Sequence, residues 1–396
     1  MKFDRYLLSL NSNIYNRNGP HLALYLDVFG TQCSSAWQGC QKQRIIPEAA
    51  IREQLLSPWD DVVVHLFNCQ QALDQGDLVL GYEEQAAAVI SFNRIFAEEP
   101  RWILPVAYTL NRNVYQLAGL ADRSLTKREL KADKLEDAGR LLNRGFTLCA
   151  TDRGALSVSR KWGTYYMVGL LFKTYFRLKT YNLCTTLMRT MKMAELPHME
   201  EFPRAHQVTF KYYQGLLRFY HEDFPEAERH FRFAFEHCYY KHRANKERVL
   251  AYLIPTMLYR GILPKDTLLA RYPRLNAIYQ PFVQALRTGN IKAFDNALVD
   301  NEHVLLRQGT YLALEQARKI AVRTLFKRTY LVFNKSSRLP FSSFQAALAF
   351  VGMRVPLAEV ECMLAGMINT NLVRGYLSHD KQMVVLSNQN PFPKLQ

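Results

Sequence analysis

The pattern of apolar and polar positions predicts helices along almost the whole chain. Near the N-terminus, apolar residues recur at helical spacing in residues 47–56, 62–73, 85–98 and 106–120, and prolines or a glycine separate these segments. The following stretch, TKRELKADKLED, is polar and of mixed charge, which is typical of a solvated helix face or a linker. We therefore place a boundary there and predict an N-terminal helical region over residues 1–135.

One segment of the next part, residues 136–316, has the form of a tetratricopeptide repeat. Its small and aromatic residues fall at the spacings of that motif, at Gly215, Phe224, Ala227, Phe231 and Ala234. The small residues would let two antiparallel helices approach closely, and the phenylalanines would fill the groove beside them. Fainter versions of the pattern occur in residues 175–188 and 291–298. Degenerate helical hairpins of this kind stack into a solenoid, which binds other chains.

The last 80 residues, 317–396, predict a separate small domain, here called the C-terminal module. A helical stripe over residues 317–334 is followed by a turn at 335–340, a second helix that Ser342 and Gln345 would begin as a capping box, and a third helix that begins at Pro356. Two β-prone runs, 372–378 and 383–386, then flank a polar turn of hairpin length. Three helices followed by a hairpin is the order of a winged helix.

Composition limits the compartment and the class of protein. The 396 residues are 48% hydrophobic and 22% charged, as in globular proteins of two or three domains. No apolar run approaches the roughly 20 residues that cross a bilayer, and the N-terminus does not have the form of a signal peptide. The seven cysteines have no CxxC spacing, so they predict neither a disulfide framework nor a zinc finger. We expect a soluble intracellular protein.

The net charge of +16 favours an acidic or polyanionic partner. From Arg318 onward eleven Lys or Arg residues stand against three acidic residues, which gives +8. Seven of these cations could form a phosphate-binding surface: Lys327, Arg328, Lys335, Arg338, Arg354, Arg374 and Lys381. A merely solvated basic surface explains them equally well. The third helix carries Glu359 and Glu361 and no cation, which argues against a helix that reads bases in the major groove.

Motifs of catalysis are not evident. The chain has no Walker-type loop, GxGxxG, GxSxG or HExxH, so we predict no enzyme, no catalytic residues and no cofactor. A metal site built from His230, His237, Cys238 and His242 is disfavoured, because these residues do not share one helix face.

An aromatic run could form a base-stacking surface, although its helical spacing favours solenoid core; it comprises Trp162, Tyr165, Tyr166, Phe172, Tyr175 and Phe176. The cations Arg160 and Lys161 beside Trp162 leave a surface role open for that residue.

Four segments carry a resemblance to a known family: LLNRGFTLCATDR, SRKWGTYYMVGLLFKTYF, HQVTFKYYQG and VECMLAGMINTNLVRGYLSHDKQMVVLSNQNPFP. They resemble the PCI-domain proteins of nuclear mRNA export and their signalosome-subunit-twelve-like relatives. The resemblance covers about residue 135 to the end, and it implies a mostly α-helical protein in which a TPR-like helical-repeat solenoid is followed by a C-terminal winged helix.

The resemblance also implies partners and a compartment. A larger PCI-domain protein would pair with this chain through the winged helix, and a small, acidic, disordered peptide shared with the proteasome lid would bind the helical stack. The resemblance and the basic and aromatic residues of that stack together indicate a peptide site at Arg153, Arg160, Lys161, Trp162, Lys173 and Lys211. Sequence-independent RNA or DNA contact, no metal and no membrane are the further expectations, and the nucleus is the expected compartment, with the cytoplasm second.

Two functions remain open at this point. The favoured one is a non-enzymatic scaffold subunit that couples transcription to mRNA processing and nuclear export and contacts RNA or DNA through its basic winged helix. The alternative is a protein-only scaffold subunit of an assembly like the signalosome or the proteasome lid.

Overall fold

The computed structural model describes residues 3–40 and 48–395 and is 73% helical. The chain divides into two compact units after Tyr213, within a helix that runs from Arg204 to Tyr220. The three-part division with boundaries after residues 135 and 316 stays a prediction. No helix among the described residues combines the length and apolar character that a membrane span requires.

The first unit is built from helices in succession: α1 (Phe3–Tyr15), α2 (Gly19–Tyr25), α3 (Thr31–Cys40), α4 (Glu48–Gln54), α5 (Trp59–Asp74), α6 (Leu78–Glu98), α7 (Leu104–Lys127), α8 (Lys134–Ala150), α9 (Thr164–Leu178) and α10 (Tyr181–Met193), with α11 (Arg204–Tyr220) at its end. The helices predicted in this part of the chain are confirmed. Pro47, where one of them was predicted to begin, lies outside the described residues.

Local chemistry explains where these helices begin. Asp77 caps α6 by accepting hydrogen bonds from the backbone N–H groups of Val79 and Leu80, both at 3.1 Å. Pro105 occupies the first turn of α7, where its missing N–H has no helical partner to lose. Helices α5 to α9 pack against their neighbours in sequence. The aromatic run of α9 is largely core as predicted, since Tyr165, Phe172 and Tyr175 are buried.

The second unit continues with α12 (Phe224–His237), α13 (Arg243–Tyr259), α14 (Asp266–Leu269), α15 (Pro273–Thr288), α16 (Ile291–Asp300), α17 (Glu302–Gln308), α18 (Tyr311–Val332), β1 (Arg338–Pro340), α19 (Phe341–Phe350), α20 (Leu357–Asn369), β2 (Gly375–Ser378) and β3 (Met383–Leu386). The close approach of two helices that the repeat pattern predicts is confirmed for α11 and α12. A Cβ placed on Gly215 would lie 2.7 Å from the ring of Phe231, so the glycine is what allows α11 and α12 to pack this closely.

The C-terminal module is a three-helix and three-stranded winged helix, with two corrections to the prediction. The strands lie in the order β1-β3-β2, all antiparallel. Strand β1 falls in the segment predicted as a turn. The capping box is wrong, because α19 begins at Phe341 without a side-chain cap and Gln345 donates instead to the carbonyl oxygen of Val355 at 2.9 Å. The third helix and the hairpin are confirmed.

Candidate interaction surfaces

All seven cations proposed for phosphate contact are exposed. The ion pairs found among the described residues of the C-terminal module use other side chains, Arg318 with Asp295 and His379 with Glu361. Arg328 donates to the carbonyl oxygen of Arg287 at 3.0 Å, and Arg374 Nε lies 3.4 Å from Asn371 Oδ1. These contacts leave most of the guanidinium donors of both residues facing solvent.

The seven cations lie on several elements of the C-terminal module, and four of them lie in or next to the sheet and the loop before α20. Arg338 lies opposite Val385, at one end of the sheet. Arg374 lies at the same end, directly before β2, and its carbonyl oxygen accepts a hydrogen bond from the backbone N–H of Ser387 at 2.9 Å. Lys381 lies in the β2–β3 turn, at the opposite end of the sheet. Arg354 lies in the loop between α19 and α20. The structure therefore brings Arg338 and Arg374 to one end of the sheet and separates them from Lys381.

Two other cations of the module belong to the fold, which lowers the charge available to a ligand. Arg318 binds both carboxylate oxygens of Asp295 at 2.6 and 2.8 Å, and this hydrogen bonding raises the pKa of its guanidinium. Arg323 is buried, which lowers its pKa, and it donates to the carbonyl oxygens of Leu372 and Pro393. It thereby ties the C-terminal segment to the module's first helix.

The sheet has one buried and one open face. Leu339, Val384 and Leu377 form a row across the three strands, and the first two side chains are fully buried. The next row therefore points to the opposite face, since successive side chains along a strand alternate. It consists of Arg338, Val385 and Tyr376, and the Tyr376 side chain is 63% exposed. Tyr376 could not be identified from the sequence, because alternation alone does not tell which face of the sheet is covered.

An exposed apolar run lies at the end of α18. Leu331, Val332 and Phe333 are consecutive and are 47%, 76% and 45% exposed. Phe350, at the end of α19, is 91% exposed. Several adjacent apolar side chains facing water are uncommon on a protein that functions alone, and they are typical of a surface that a partner covers.

The residues proposed to bind a peptide divide into structural and accessible ones. Arg160 has contacts within the fold: its guanidinium pairs with Asp152 at 3.0 Å and also donates to the carbonyl oxygens of Phe96 and Ala97, so it joins a loop to the end of α6. Lys161 Nζ donates to the carbonyl oxygen of Glu195 at 3.0 Å. Arg153 is exposed in the loop that follows α8. Lys173 is exposed and Lys211 half-buried, and both make contacts within the protein.

Trp162 lines an open groove of about 820 Å³ in the first unit. Its indole N–H donates to the carbonyl oxygen of Leu156 at 2.6 Å, and the guanidinium of Arg101 lies 4.6 Å from the centre of its ring. The aromatic side chains around the groove also include Trp102, Tyr108 and Phe202. The charged residues of the lining are Arg101 and Glu201, and the aromatic wall suits an extended chain that carries apolar side chains.

His206 lies in the wall of the same groove. Burial lowers its pKa to about 4, so the imidazole is neutral at physiological pH. Its Nδ1 atom is buried and has no hydrogen-bond partner among the described residues. The neutral ring packs edge-on against Tyr108, which makes it part of the aromatic wall.

His237, one of the four residues of the disfavoured metal site, has contacts with its own helix. His237 Nδ1 lies 2.9 Å from the carbonyl oxygen of Phe233, and the two rings stack 4.1 Å apart. Across the residues that the structure describes, no three His, Cys, Asp or Glu side chains are grouped as a metal site would need.

Comparison with known proteins identifies the family. Residues 298–388 match the model of the PCI domain. The chain is 34% identical to Protein CSN12 homolog of Schizosaccharomyces pombe over 98% of its length and 97% of that protein. It is 35% identical to PCI domain-containing protein 2 of Xenopus laevis over 99% and 98%, and 37% identical to Enhanced ethylene response protein 5 of Arabidopsis thaliana over 86% and 82%. The chain therefore belongs to the family of PCI-domain proteins that includes the CSN12 homologues and PCI domain-containing protein 2.

Proposed function

We propose that this protein is a non-enzymatic scaffold subunit of a signalosome-type assembly, in which it pairs with a larger protein that also carries a PCI domain. Proteins with PCI domains form hetero-oligomeric complexes with one another. Similarity to CSN12 homologues over nearly the full chain supports the same role here. The structural observation that carries the proposal is the exposed apolar run at residues 331–333, because its burial by a partner would release water from adjacent apolar side chains.

The experiment compares two substitutions in the same helix. Val332→Asp places a charge in the proposed interface, and Leu312→Asp places one on a 60% exposed side chain at the other end of α18. We expect Val332→Asp to remove the PCI-domain partner from the purified complex without changing the circular dichroism spectrum, and Leu312→Asp to retain the partner. Equal recovery of the partner with both variants would contradict an interface at residues 331–333.

We also propose two more specific properties: a binding site for an acidic peptide and a role in mRNA export. The groove around Trp162 supports a peptide site, and Arg153 and Lys161, which do not line the groove, would be additional cations that attract acidic side chains. Arg160 is left out of this site because it holds the fold together. Arg153→Glu with Lys161→Glu should weaken binding of the acidic peptide most at low salt, and an unchanged affinity would exclude these two cations from the peptide site. Nuclear fluorescence of the tagged protein and recovery of mRNA-processing factors would distinguish the export role from a protein-only assembly.

Nucleic-acid contact is a second candidate function, which the exposed cations of the C-terminal module favour. Each phosphate that a cation neutralises releases counterions, so affinity should fall with salt at a log–log slope of about −0.7 per contact on single strands and about −0.9 on duplexes. Changing Lys327, Arg328, Arg374 and Lys381 to Glu should abolish binding while the protein stays folded and paired. If that variant binds RNA and DNA as the parent does, the protein acts through protein contacts alone.

A further inference from the structure

We propose that the open face of the wing sheet holds an unpaired nucleotide, with its base stacked on Tyr376 and its neighbouring phosphates bound by Arg338 and Arg374. This inference rests on the nucleic-acid contact proposed above and goes further, because it assigns the base and the phosphates to particular side chains.

Strand register places the ring and one guanidinium on the same face. Arg338 in β1 and Tyr376 in β2 are both directly opposite Val385 in the central strand, so the three side chains form one row. Adjacent strands are about 4.8 Å apart, which puts the backbones of Arg338 and Tyr376 about 10 Å apart. The extended Arg338 side chain can span much of that distance.

Arg374 approaches the same ring along its own strand. It lies two residues before Tyr376, and the hydrogen bond from Ser387 N to its carbonyl oxygen extends the pairing of β2 with β3 to this position. Side chains two residues apart on a strand share a face. Tyr376 therefore has one arginine across the sheet and another beside it on its strand.

Electrostatics distinguishes this end of the sheet from the hairpin tip. The module's carboxylates are Glu359, Glu361 and Asp380. Asp380 lies in the β2–β3 turn, and Glu361 binds His379 in that turn at 3.0 Å. Asp380 in the turn and Glu361 of α20 therefore lie at the hairpin-tip end of the sheet, and the Arg338–Arg374 end is the better phosphate site.

The exposed ring selects a single strand over other polyanions. An aromatic side chain stacks on any base whose face is open, whereas the bases of a duplex are already stacked on their neighbours. An acidic protein segment would satisfy the arginines but would not need an aromatic ring between them. The occupant is therefore single-stranded RNA or DNA, bound without sequence preference.

The test measures binding of the full-length protein to fluorescein-labelled ten-nucleotide oligothymidine, and to the same strand made of abasic sugar–phosphate units, by fluorescence anisotropy across a salt series. Tyr376→Ala should weaken oligothymidine binding about 5- to 150-fold, the loss of one stacked base, and should leave both the salt slope and binding of the abasic strand unchanged. Tyr376→Phe keeps the ring and should bind within about twofold of the parent.

A matched pair of double variants tests the phosphate site. Arg338→Gln with Arg374→Gln should reduce the salt slope by about 1.4, whereas Lys265→Gln with Arg274→Gln removes the same charge from exposed residues outside the C-terminal module and should leave the slope near that of the parent. If the arginine variants weaken binding but Tyr376→Ala does not, the stacking is wrong and the nucleic-acid contact stands. If neither set changes binding, or if Tyr376→Ala instead releases the PCI-domain partner, the wing face does not hold a nucleotide.

Discussion

Gly215 in α11 lies against the ring of Phe231 in α12 so closely that a Cβ would stand 2.7 Å from two of its ring carbons. Phe231 is fully buried and its ring also stacks on Tyr252, so it has little freedom to move away. This contact fixes how closely the two helices of the repeat approach each other.

Gly215→Ala should therefore destabilise the protein although alanine favours helix. We expect a loss of about 1–3 kcal/mol from the added methyl group, measured by urea unfolding. Gly366→Ala is the matched control, because nothing lies within 4 Å of the position of its Cβ. It should be neutral or stabilise by up to about 1 kcal/mol. Equal stability of the two variants would show that α11 and α12 are farther apart than described.

Arg160→Met should destabilise the first unit by about 3 kcal/mol, since it removes the cation that pairs with the half-buried Asp152 carboxylate and the side-chain donor of three backbone carbonyl groups. Asp152 would keep its hydrogen bonds from the Ser159 hydroxyl and the backbone N–H of Arg160. The Lys131 side chain is 85% exposed and pairs with Asp133. Lys131→Ala removes this exposed ion pair and should change stability by less than about 1 kcal/mol. Urea unfolding followed by circular dichroism measures both. A mild effect of Arg160→Met would return this residue to the set of candidate ligands for an acidic peptide.

His206 should make stability fall in mild acid. Its folded-state pKa of about 4 is below the ordinary value of 6.5, so the unfolded chain binds more protons between these pH values. Stability should decrease by up to about 3 kcal/mol as pH falls from 6.5 to 4. The His206→Gln variant should lose this part of the pH dependence of stability. The measurement is the difference between the free energies of unfolding of the parent and the variant at each pH. Parallel curves would mean that the imidazole is accessible to water.

His379 should show the opposite shift. Its hydrogen bonds to Glu361, both 3.0 Å long, raise its pKa above 6.5. The pair therefore stabilises the hairpin below pH 6.5, and this contribution disappears as pH rises through the raised pKa. NMR titration of the imidazole should give a pKa above 6.5 in the parent and a value closer to 6.5 in Glu361→Gln. Identical titrations would place His379 away from α20.

Much of the fold could be predicted from the sequence because helix stripes and a hairpin turn are local signals. Strand β1 could not, since Arg338, Leu339 and Pro340 become a strand only through pairing with β3. The capping box failed for a similar reason: Phe341 is buried at the start of α19, and Gln345 finds a partner ten residues later.

The candidate sites were harder to predict than the helices. In the sequence, Arg160 looks like an ordinary surface cation. Only the folded loop, which brings Asp152 within 3.0 Å of its guanidinium, shows that Arg160 contributes to the fold. The cations of the C-terminal module were identified by charge, but their division between the two ends of a sheet depends on register, which charge does not contain. Tyr376 became a candidate only when the opposite row of the sheet proved to be buried.

The most direct test of the scaffold proposal is the mass of the protein purified under native conditions from cells, measured by native mass spectrometry. The chain alone has a mass of 46.0 kDa. We predict a stable species that contains one copy of this chain and a larger PCI-domain protein, and its dissociation by Val332→Asp but not by Leu312→Asp. A parent protein recovered only at 46.0 kDa, with no PCI-domain partner at any salt concentration, would contradict the proposal that it is a scaffold subunit.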